Sequence, residues 1–190
     1  VYSQYDENLN QASLKFNLNE CLHIGIDFNI GKMSGCIAQE QPNGSIHVID
    51  EIYGCRDTRA LCDEIHAKFG EWDGYIYAYP DATNGRKTSS DTTDHQILRE
   101  YGNFDVVTED SNPGIQDRVN SVNKMLCNYN QYRALLIDPR CEVLLNGLET
   151  QAYDKNNLPD KDSDVDHICD ALGYLIWRMR GIRKGYDEVY

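Results

Sequence analysis

The sequence predicts an α/β domain in which a mixed β-sheet is flanked by helices. Three observations lead to this fold class. Three apolar, strand-like segments follow one another near the start of the chain. Later strand-like runs are separated by segments with apolar residues at helical spacing, and the last such segment is a long amphipathic helix. With 190 residues and 41% hydrophobic content, the chain can bury the core of one such domain.

The first three predicted strands form an antiparallel meander. They are CLHIGIDF at 21–28, MSGCIAQE at 33–40 and SIHVIDEIY at 45–53. The turns between them, NIGK and QPNG, contain the glycine or proline that tight turns favour. The preceding residues are polar and lack periodicity, so we expect 1–20 to be a linker or edge segment and 21–190 to be the organised domain.

Helices and short strands alternate in the rest of the chain. Leu61, Ile65 and Phe69 lie four residues apart, which is helical spacing, and Gly70 follows as a stop signal. The chain continues with the strand YIYAY at 75–79, a polar loop at 81–93 and a helix at 93–101. The strand DVVT at 105–108 and a helix at 115–129 follow. The apolar run RALLID at 133–138 precedes two final helices, at 141–151 and 165–180. This is the element order of an RNase H-like fold.

The composition argues against a membrane or secreted protein. No apolar run approaches the roughly 20 residues that cross a bilayer, and the first residues lack the basic and apolar parts of a signal peptide. We therefore expect a soluble, intracellular protein without a membrane partner. The seven cysteines are odd in number and form no C-x-x-C pair, which predicts reduced core residues rather than disulfides or a zinc site.

The net charge of -13 does not favour nucleic-acid binding. Most non-specific affinity for DNA comes from cations that replace counterions on the phosphates. However, an enzyme that cuts DNA must gather carboxylates to hold metal ions. The acidity therefore predicts weak, salt-sensitive DNA binding by this chain rather than none.

Two aspartates follow the ends of separate predicted strands. Asp27 comes after the alternating residues Leu22, Ile24 and Ile26, so it should emerge on the face opposite to theirs. Asp81 follows YIYAYP in the same manner. Taken alone, Asp27 is equally compatible with a turn role, and for Asp81 a loop role after Pro80 would be favoured.

The closing helix supplies two further acids. Asp166 and Asp170 are one turn apart and therefore lie on the same side, along the flank of the apolar stripe. An acid here could merely complement the positive end of the helix dipole. Together with Asp27 and Asp81, however, these acids make a set of oxygen ligands that suits Mg²⁺ or Mn²⁺. Two such ions can activate a water and stabilise the leaving 3′-oxygen when a phosphodiester is cleaved.

Four stretches of the chain resemble the nuclease domain of viral terminase large subunits. HIGIDFNIGKM is similar to the family's first acidic strand, and YAYPDATNGRKTSSDTTDHQIL to its second acid with the following loop and helix. NPGIQDRVNSVNKML and DKDSDVDHICDALGYLIW are similar to its later helix and third-acid region. The resemblance implies catalytic, metal-binding acids at Asp27, Asp81 and Asp166. It leaves open whether Asp166 or Asp170 is the principal helix ligand.

The same resemblance implies a place in genome packaging. It implies an RNase H-like endonuclease that uses two Mg²⁺ or Mn²⁺ ions to cut concatemeric double-stranded viral DNA in the cytoplasm of an infected or lysogenic bacterial host. The family's partners are an ATPase domain in the same full-length chain, a small terminase subunit and the portal protein. The sequence has no G-x-x-x-x-G-K-[ST] phosphate loop, so we expect the ATPase domain to lie outside it.

Three basic residues are candidate DNA contacts. Arg86 and Lys87 follow Asp81 in a glycine-containing loop, and Lys161 lies in the loop before Asp166. His167 points roughly 100 degrees further round the helix than Asp166, away from the apolar stripe, and we expect it to face solvent.

Two alternative functions are compatible with the pattern. One is another RNase H-like nuclease, such as a junction resolvase acting on branched DNA. The other is a non-catalytic, actin-like nucleotide-binding domain, because IGIDFNIG resembles the first phosphate loop of such proteins. The second reading requires another glycine-rich phosphate loop, which the sequence does not contain.

Overall fold

The computed structural model describes residues 1–70, 72–85, 92–161 and 165–181. Within these residues the chain forms six strands, six helices and one 3₁₀ turn. The strands are β1 (Leu22–Asp27), β2 (Met33–Glu40), β3 (Ile46–Cys55), β4 (Ile76–Pro80), β5 (Phe104–Val106) and β6 (Leu135–Ile137). The helices are α1 (Glu7–Asn10), α2 (Thr58–Phe69), α3 (Asp94–Glu100), α4 (Ile115–Leu126), α5 (Glu142–Thr150) and α6 (Asp166–Arg180), and the 3₁₀ turn is Ala82–Gly85.

The strands form one mixed sheet in the order β5-β4-β1-β2-β3-β6. β1, β2 and β3 pair antiparallel, as the meander prediction requires. β4 pairs parallel with β1, β5 pairs parallel with β4, and β6 pairs parallel with β3. The expected fold class, a mixed sheet of a meander plus parallel strands flanked by helices, is therefore confirmed.

Each face of the sheet packs against its own set of helices. On one face, Leu22, Ile24 and Ile26 are buried in a core that includes Leu61 and Ile65 of α2. On the other face, residues of α4, α5 and α6 pack against the remaining side chains of β2 and β3. Because strand side chains alternate, Asp27 lies on the α6 face, opposite to the three apolar residues that precede it.

The N-terminal residues pack on the domain. Tyr2 and Leu14 are buried, and Gln11 forms an isolated parallel bridge with Ile137 at the β6 edge of the sheet. Residues 1–16 therefore cover part of this edge, although the sequence shows no periodicity there. All seven cysteines are free thiols, as expected. None of the helices in the described part of the chain is long and apolar enough to cross a membrane.

Gly25 sets the distance between α6 and the centre of the sheet. A Cβ atom at this position would lie 2.0 Å from the carbonyl oxygen of Ala171 and 2.7 Å from the Cβ of Leu175. Both obstacles are on α6, and one is backbone, so a larger side chain would force the helix away from β1. Gly25 thus permits α6 to lie directly on β1 beside Asp27.

We predict that Gly25→Ala destabilises the protein by about 1–3 kcal/mol or more, because overpacking a close helix–strand contact moves backbone. Gly35→Ala is the matched control. Gly35 is also a strand glycine, but its added Cβ would meet no atom closer than 3.7 Å. Chemical denaturation of both variants measures the difference. Equal stability of the two variants would contradict the importance of the Gly25 contact.

Candidate active site

Asp27 ends β1 and Asp81 directly follows β4, so both lie at the carboxyl ends of adjacent parallel strands. Ile26 of β1 pairs with Pro80 of β4, and the backbone N–H of Asp81 donates to the carbonyl oxygen of Ile26 at 3.2 Å. The two aspartates therefore leave neighbouring strands at equivalent positions. This is the arrangement that the sequence predicts for acids at strand ends.

Asp27 lies in a buried and strongly charged environment. It is 9% exposed, and its Oδ2 lies 3.0 Å from His167 Nδ1. Burial, and after it the nearby negative charge of Asp170, raise the pKa of Asp27 to about 6, against the opposing effects of His167 and Lys161. Asp27 is thus a carboxylate whose negative charge is poorly compensated, which is the condition that a cation would relieve.

Asp81 is held in a fixed orientation by its own loop. Its Oδ1 accepts hydrogen bonds from the backbone N–H of Thr83 at 2.6 Å, from Thr83 Oγ1 at 2.7 Å and from Asn112 Nδ2 at 2.7 Å. His95 Nε2 lies 2.9 Å from the backbone oxygen of Asp81. These contacts orient the carboxylate and leave Oδ2 outside the hydrogen bonds formed among the described residues.

The acids of α6 contact the ammonium group of Lys161. Lys161 Nζ lies 2.5 Å from Asp170 Oδ2 and 3.4 Å from Asp166 Oδ2. Asp166 is 2% exposed, and its Oδ1 is buried without a hydrogen-bond partner in the described part of the chain. His167 Nε2 lies 3.6 Å from that atom. An unpartnered carboxylate oxygen is costly to bury unless something else compensates it.

A second cation reaches Asp170 from α4. Arg118 is 5% exposed, and its Nη1 lies 3.1 Å from Asp170 Oδ1. The guanidinium also stacks over the ring of Tyr174, 4.3 Å from its centroid. Arg118 therefore forms an ion pair with Asp170 from the side of the protein interior, while its Nε and Nη1 have no hydrogen-bond partner among the described residues.

Tyr174 lies within electrostatic range of acids from three elements. Its pKa is raised mainly by burial and also by the charges of Asp81, Asp170 and Asp27, whereas Arg118 lowers it. One phenol thus experiences carboxylates from β1, from the end of β4 and from α6. Among the described residues, however, no three His, Cys, Asp or Glu side chains are already arranged as a metal cage.

The donor set fits a hard divalent cation. All the candidate ligands are carboxylate oxygens, which Mg²⁺ and Mn²⁺ prefer, and such ions usually bind one or two carboxylates together with water and substrate phosphate. The buried, unpartnered Oδ1 of Asp166 and the raised pKa of Asp27 are both features that a bound cation would stabilise.

A model of the Terminase RNaseH-like domain family matches residues 24–178 of the chain. The chain belongs to this family. No curated protein matches it in sequence.

Solved large terminases share the fold of this terminase domain. The large terminase of the thermophilic bacteriophage D6E has a TM-score of 0.70 at 14% identity, covering 93% of this chain and 44% of that one. The nuclease domain of the P22 large terminase has a TM-score of 0.66 at 11% identity, covering 94% and 92%. The nuclease domain of the bacteriophage SPP1 large terminase, solved with bound Mn, has a TM-score of 0.58 at 19% identity, covering 90% and 97%. The chain therefore spans less than half of the D6E protein.

The expectation that His167 faces solvent is wrong. Its side chain is 14% exposed and lies between Asp27 and Asp166, and Asn29 Nδ2 lies 3.0 Å from its Nε2. The reason is that the N-terminal end of α6 packs beside the carboxyl end of β1, so the flank of the helix beyond the acids faces the loop after β1 rather than water.

The three candidate DNA contacts have different outcomes. Arg86 and Lys87 lie outside the described residues. Lys161 is described, and its ammonium group contacts the acids of α6. Arg118, Asn112 and Tyr174 were not assigned to the site from the sequence, because a lone Arg, Asn or Tyr on a helix or loop carries no motif.

We predict that Asp27 makes the metal-free terminase domain less stable above pH 6. Its folded pKa of about 6 exceeds the ordinary value of 3.8, so folding disfavours the ionised form. This cost is fully present above pH 6 and disappears as the pH falls toward 3.8. In EDTA, Asp27→Asn should therefore be more stable than the wild type at pH 7.5, by on the order of 1–3 kcal/mol, and about equally stable at pH 4. Urea denaturation at both pH values measures this, and a pH-independent difference would contradict it.

We predict that Arg118→Met destabilises the domain by about 3–5 kcal/mol, because it leaves the mostly buried carboxylate of Asp170 without its interior partner. The double variant Arg118→Met/Asp170→Asn should recover part of the loss, since it removes the uncompensated charge. Denaturation of the two single variants and the double variant forms a thermodynamic cycle. Additive effects would argue that the two side chains are not energetically coupled.

Proposed function

We propose that this terminase domain is a metal-dependent endonuclease that cuts concatemeric double-stranded viral DNA during genome packaging. One arrangement supports the proposal: Asp27 and Asp81 lie at adjacent strand ends, and Asp170 of α6 is close enough to Asp27 to raise its pKa. Membership of the terminase family supports this reading of the arrangement.

The metal ligands in this proposal are Asp27, Asp81, Asp166 and Asp170. Bound there, two Mg²⁺ or Mn²⁺ ions would supply an activated water and stabilise the leaving 3′-oxygen of the phosphodiester. The bound Mn of the SPP1 nuclease domain and the bound Mg of the nuclease from phage G20c are consistent with this choice of ion.

Asp170 is the better candidate for the helix ligand that shares an ion with Asp27. Among the carboxylates, Asp170 makes the largest electrostatic contribution to the raised pKa of Asp27. Asp166 is more deeply buried and keeps an unpartnered Oδ1, so we assign it as the second helix ligand.

The surrounding residues position these acids. Asn112 and Thr83 hold one oxygen of Asp81, which directs the other oxygen away from the loop. Arg118 holds Asp170, and His167 contacts Asp27. Such fixed orientation reduces the entropy that is lost when ion and substrate are bound.

The negative charge of the domain makes cations essential for DNA binding. Carboxylates repel phosphates, so a site made of Asp27, Asp81 and Asp170 should attract DNA only after divalent ions have reversed its charge. We propose Arg86, Lys87 and Lys161 as additional phosphate contacts, since each lies close in sequence to one of the acids.

The domain would act as part of a larger packaging machine. Because the chain spans 44% of the D6E large terminase, we propose an ATPase domain elsewhere in the full-length protein. A small terminase subunit and a portal protein would be its partners, and the cytoplasm of an infected or lysogenic bacterial host its location.

We predict that the purified domain nicks or linearises plasmid DNA when Mn²⁺ or Mg²⁺ is added and is inactive in EDTA. Asp27→Ala and Asp81→Ala should each lower the rate by about 100-fold or more, because each removes a ligand from the catalytic ions. Asp154→Ala is a control, since Asp154 is a half-buried aspartate whose side chain accepts hydrogen bonds from its own loop. Gel assays of plasmid conversion measure the rates.

Two results would overturn the proposal. Cleavage that survives EDTA and both substitutions would exclude the metal mechanism. A large preference for four-way junctions over linear duplex DNA would instead indicate a junction resolvase.

A further inference from the structure

The acidic site contains cationic side chains of its own. Lys161 Nζ contacts both acids of α6, at 2.5 Å from Asp170 and 3.4 Å from Asp166. One ammonium group on the loop before α6 therefore contacts two of the four proposed metal ligands.

We propose that Lys161 is a built-in counter-ion, which neutralises the carboxylates in the metal-free domain and is displaced when divalent metal binds. This inference rests on the proposed function, because it assumes that the same carboxylates hold metal. It adds a competition between a side chain and the metal ions, together with a change in the position of Lys161.

The charge balance of the site supports displacement. Without metal, Lys161 and Arg118 offset two of the four negative charges of Asp27, Asp81, Asp166 and Asp170. Two divalent ions would turn this remaining negative charge into an excess of positive charge at short range. The Lys161 ammonium would then be repelled, and the Asp170 oxygen that it contacts would be needed as a ligand.

Lys161 is the cation that can leave. Its side chain is 53% exposed, whereas that of Arg118 is 7% exposed and stacked over Tyr174. A lysine on a loop can move its flexible stem into water at little cost, but a buried guanidinium cannot. We therefore assign Arg118 as a permanent partner of Asp170 and Lys161 as a temporary one.

Displacement gives Lys161 two successive roles. In the metal-free state it lowers the repulsion between carboxylates on β1 and α6. After release, its ammonium group would remain close to the proposed metal ligands, where the phosphates of DNA would approach. Lys161 would thus pair with the acids before metal binds and would contact DNA, as the sequence predicts, after metal has bound.

The test measures the chemical reactivity of lysines in the wild-type domain with and without Mn²⁺. The protein is treated briefly with an amine acylating reagent, and the modified lysines are quantified by mass spectrometry. Acylation of Lys161 should increase several-fold when Mn²⁺ is added, because the free amine becomes available once the carboxylates release it. Acylation of Lys155, an exposed lysine on the same loop, should not change.

A pair of substitutions provides a second readout. In EDTA, Lys161→Met should melt at a lower temperature than the wild type, because the acids of α6 lose their counter-ion. In calorimetric titration it should bind Mn²⁺ about 3- to 10-fold more tightly, since no side chain competes. Lys161→Arg should remain close to the wild type in both measurements, and Lys155→Met should be unchanged.

The outcomes separate this inference from the proposed function. If the wild-type domain does not bind Mn²⁺ at all, the proposed function is wrong and this inference falls with it. If Mn²⁺ binds but acylation of Lys161 stays constant or decreases, Lys161 is not displaced and only this inference is overturned. Equal Mn²⁺ affinity of Lys161→Met and the wild type would overturn it independently.

Discussion

The close contact between Gly25 on β1 and Ala171 on α6 is the constraint on which the candidate site depends. A Cβ at position 25 would lie 2.0 Å from a helix carbonyl oxygen, so only glycine lets the helix approach the strand this closely. Asp27 is two residues beyond Gly25, and Asp170 immediately precedes Ala171. The contact that closes the core therefore also brings these two carboxylates into the same buried region.

Bringing acids together in this manner has an electrostatic cost that the fold must offset. Part of this electrostatic cost appears as the raised pKa of Asp27. The charge of Asp170 is compensated by Arg118 from the interior and by Lys161 from the loop. Asp81 is the exception, because hydrogen bonds from Thr83 and Asn112 to one oxygen stabilise it at the more open end. The repulsion between carboxylates is therefore greatest where β1 meets α6, and a divalent cation bound there would reduce most of it.

The sequence predicts the strands, the helices and the positions of the acids on them, because each leaves a local pattern. Strand alternation before Asp27, and the one-turn spacing of Asp166 and Asp170, follow from backbone periodicity alone. The positions of Arg118 and His167 do not, since they depend on how α4 and the end of β1 pack against α6. A sequence of one chain shows that His167 lies off the apolar stripe, but not that a strand end, rather than water, occupies that side of the helix.

The contacts of Lys161 link the acidity of the chain to the order of events at the site. The net charge of -13 repels DNA, so any attraction must come from local positive charge at the proposed metal site. While Lys161 is paired with Asp166 and Asp170, its charge is neutralised by these acids and contributes little to that attraction. Metal binding would then supply positive charge twice, through the ions themselves and through the released ammonium. Metal binding alone would thus make the site both competent for cleavage and attractive to phosphate. Without metal, DNA binding would be disfavoured at the place where cutting would occur.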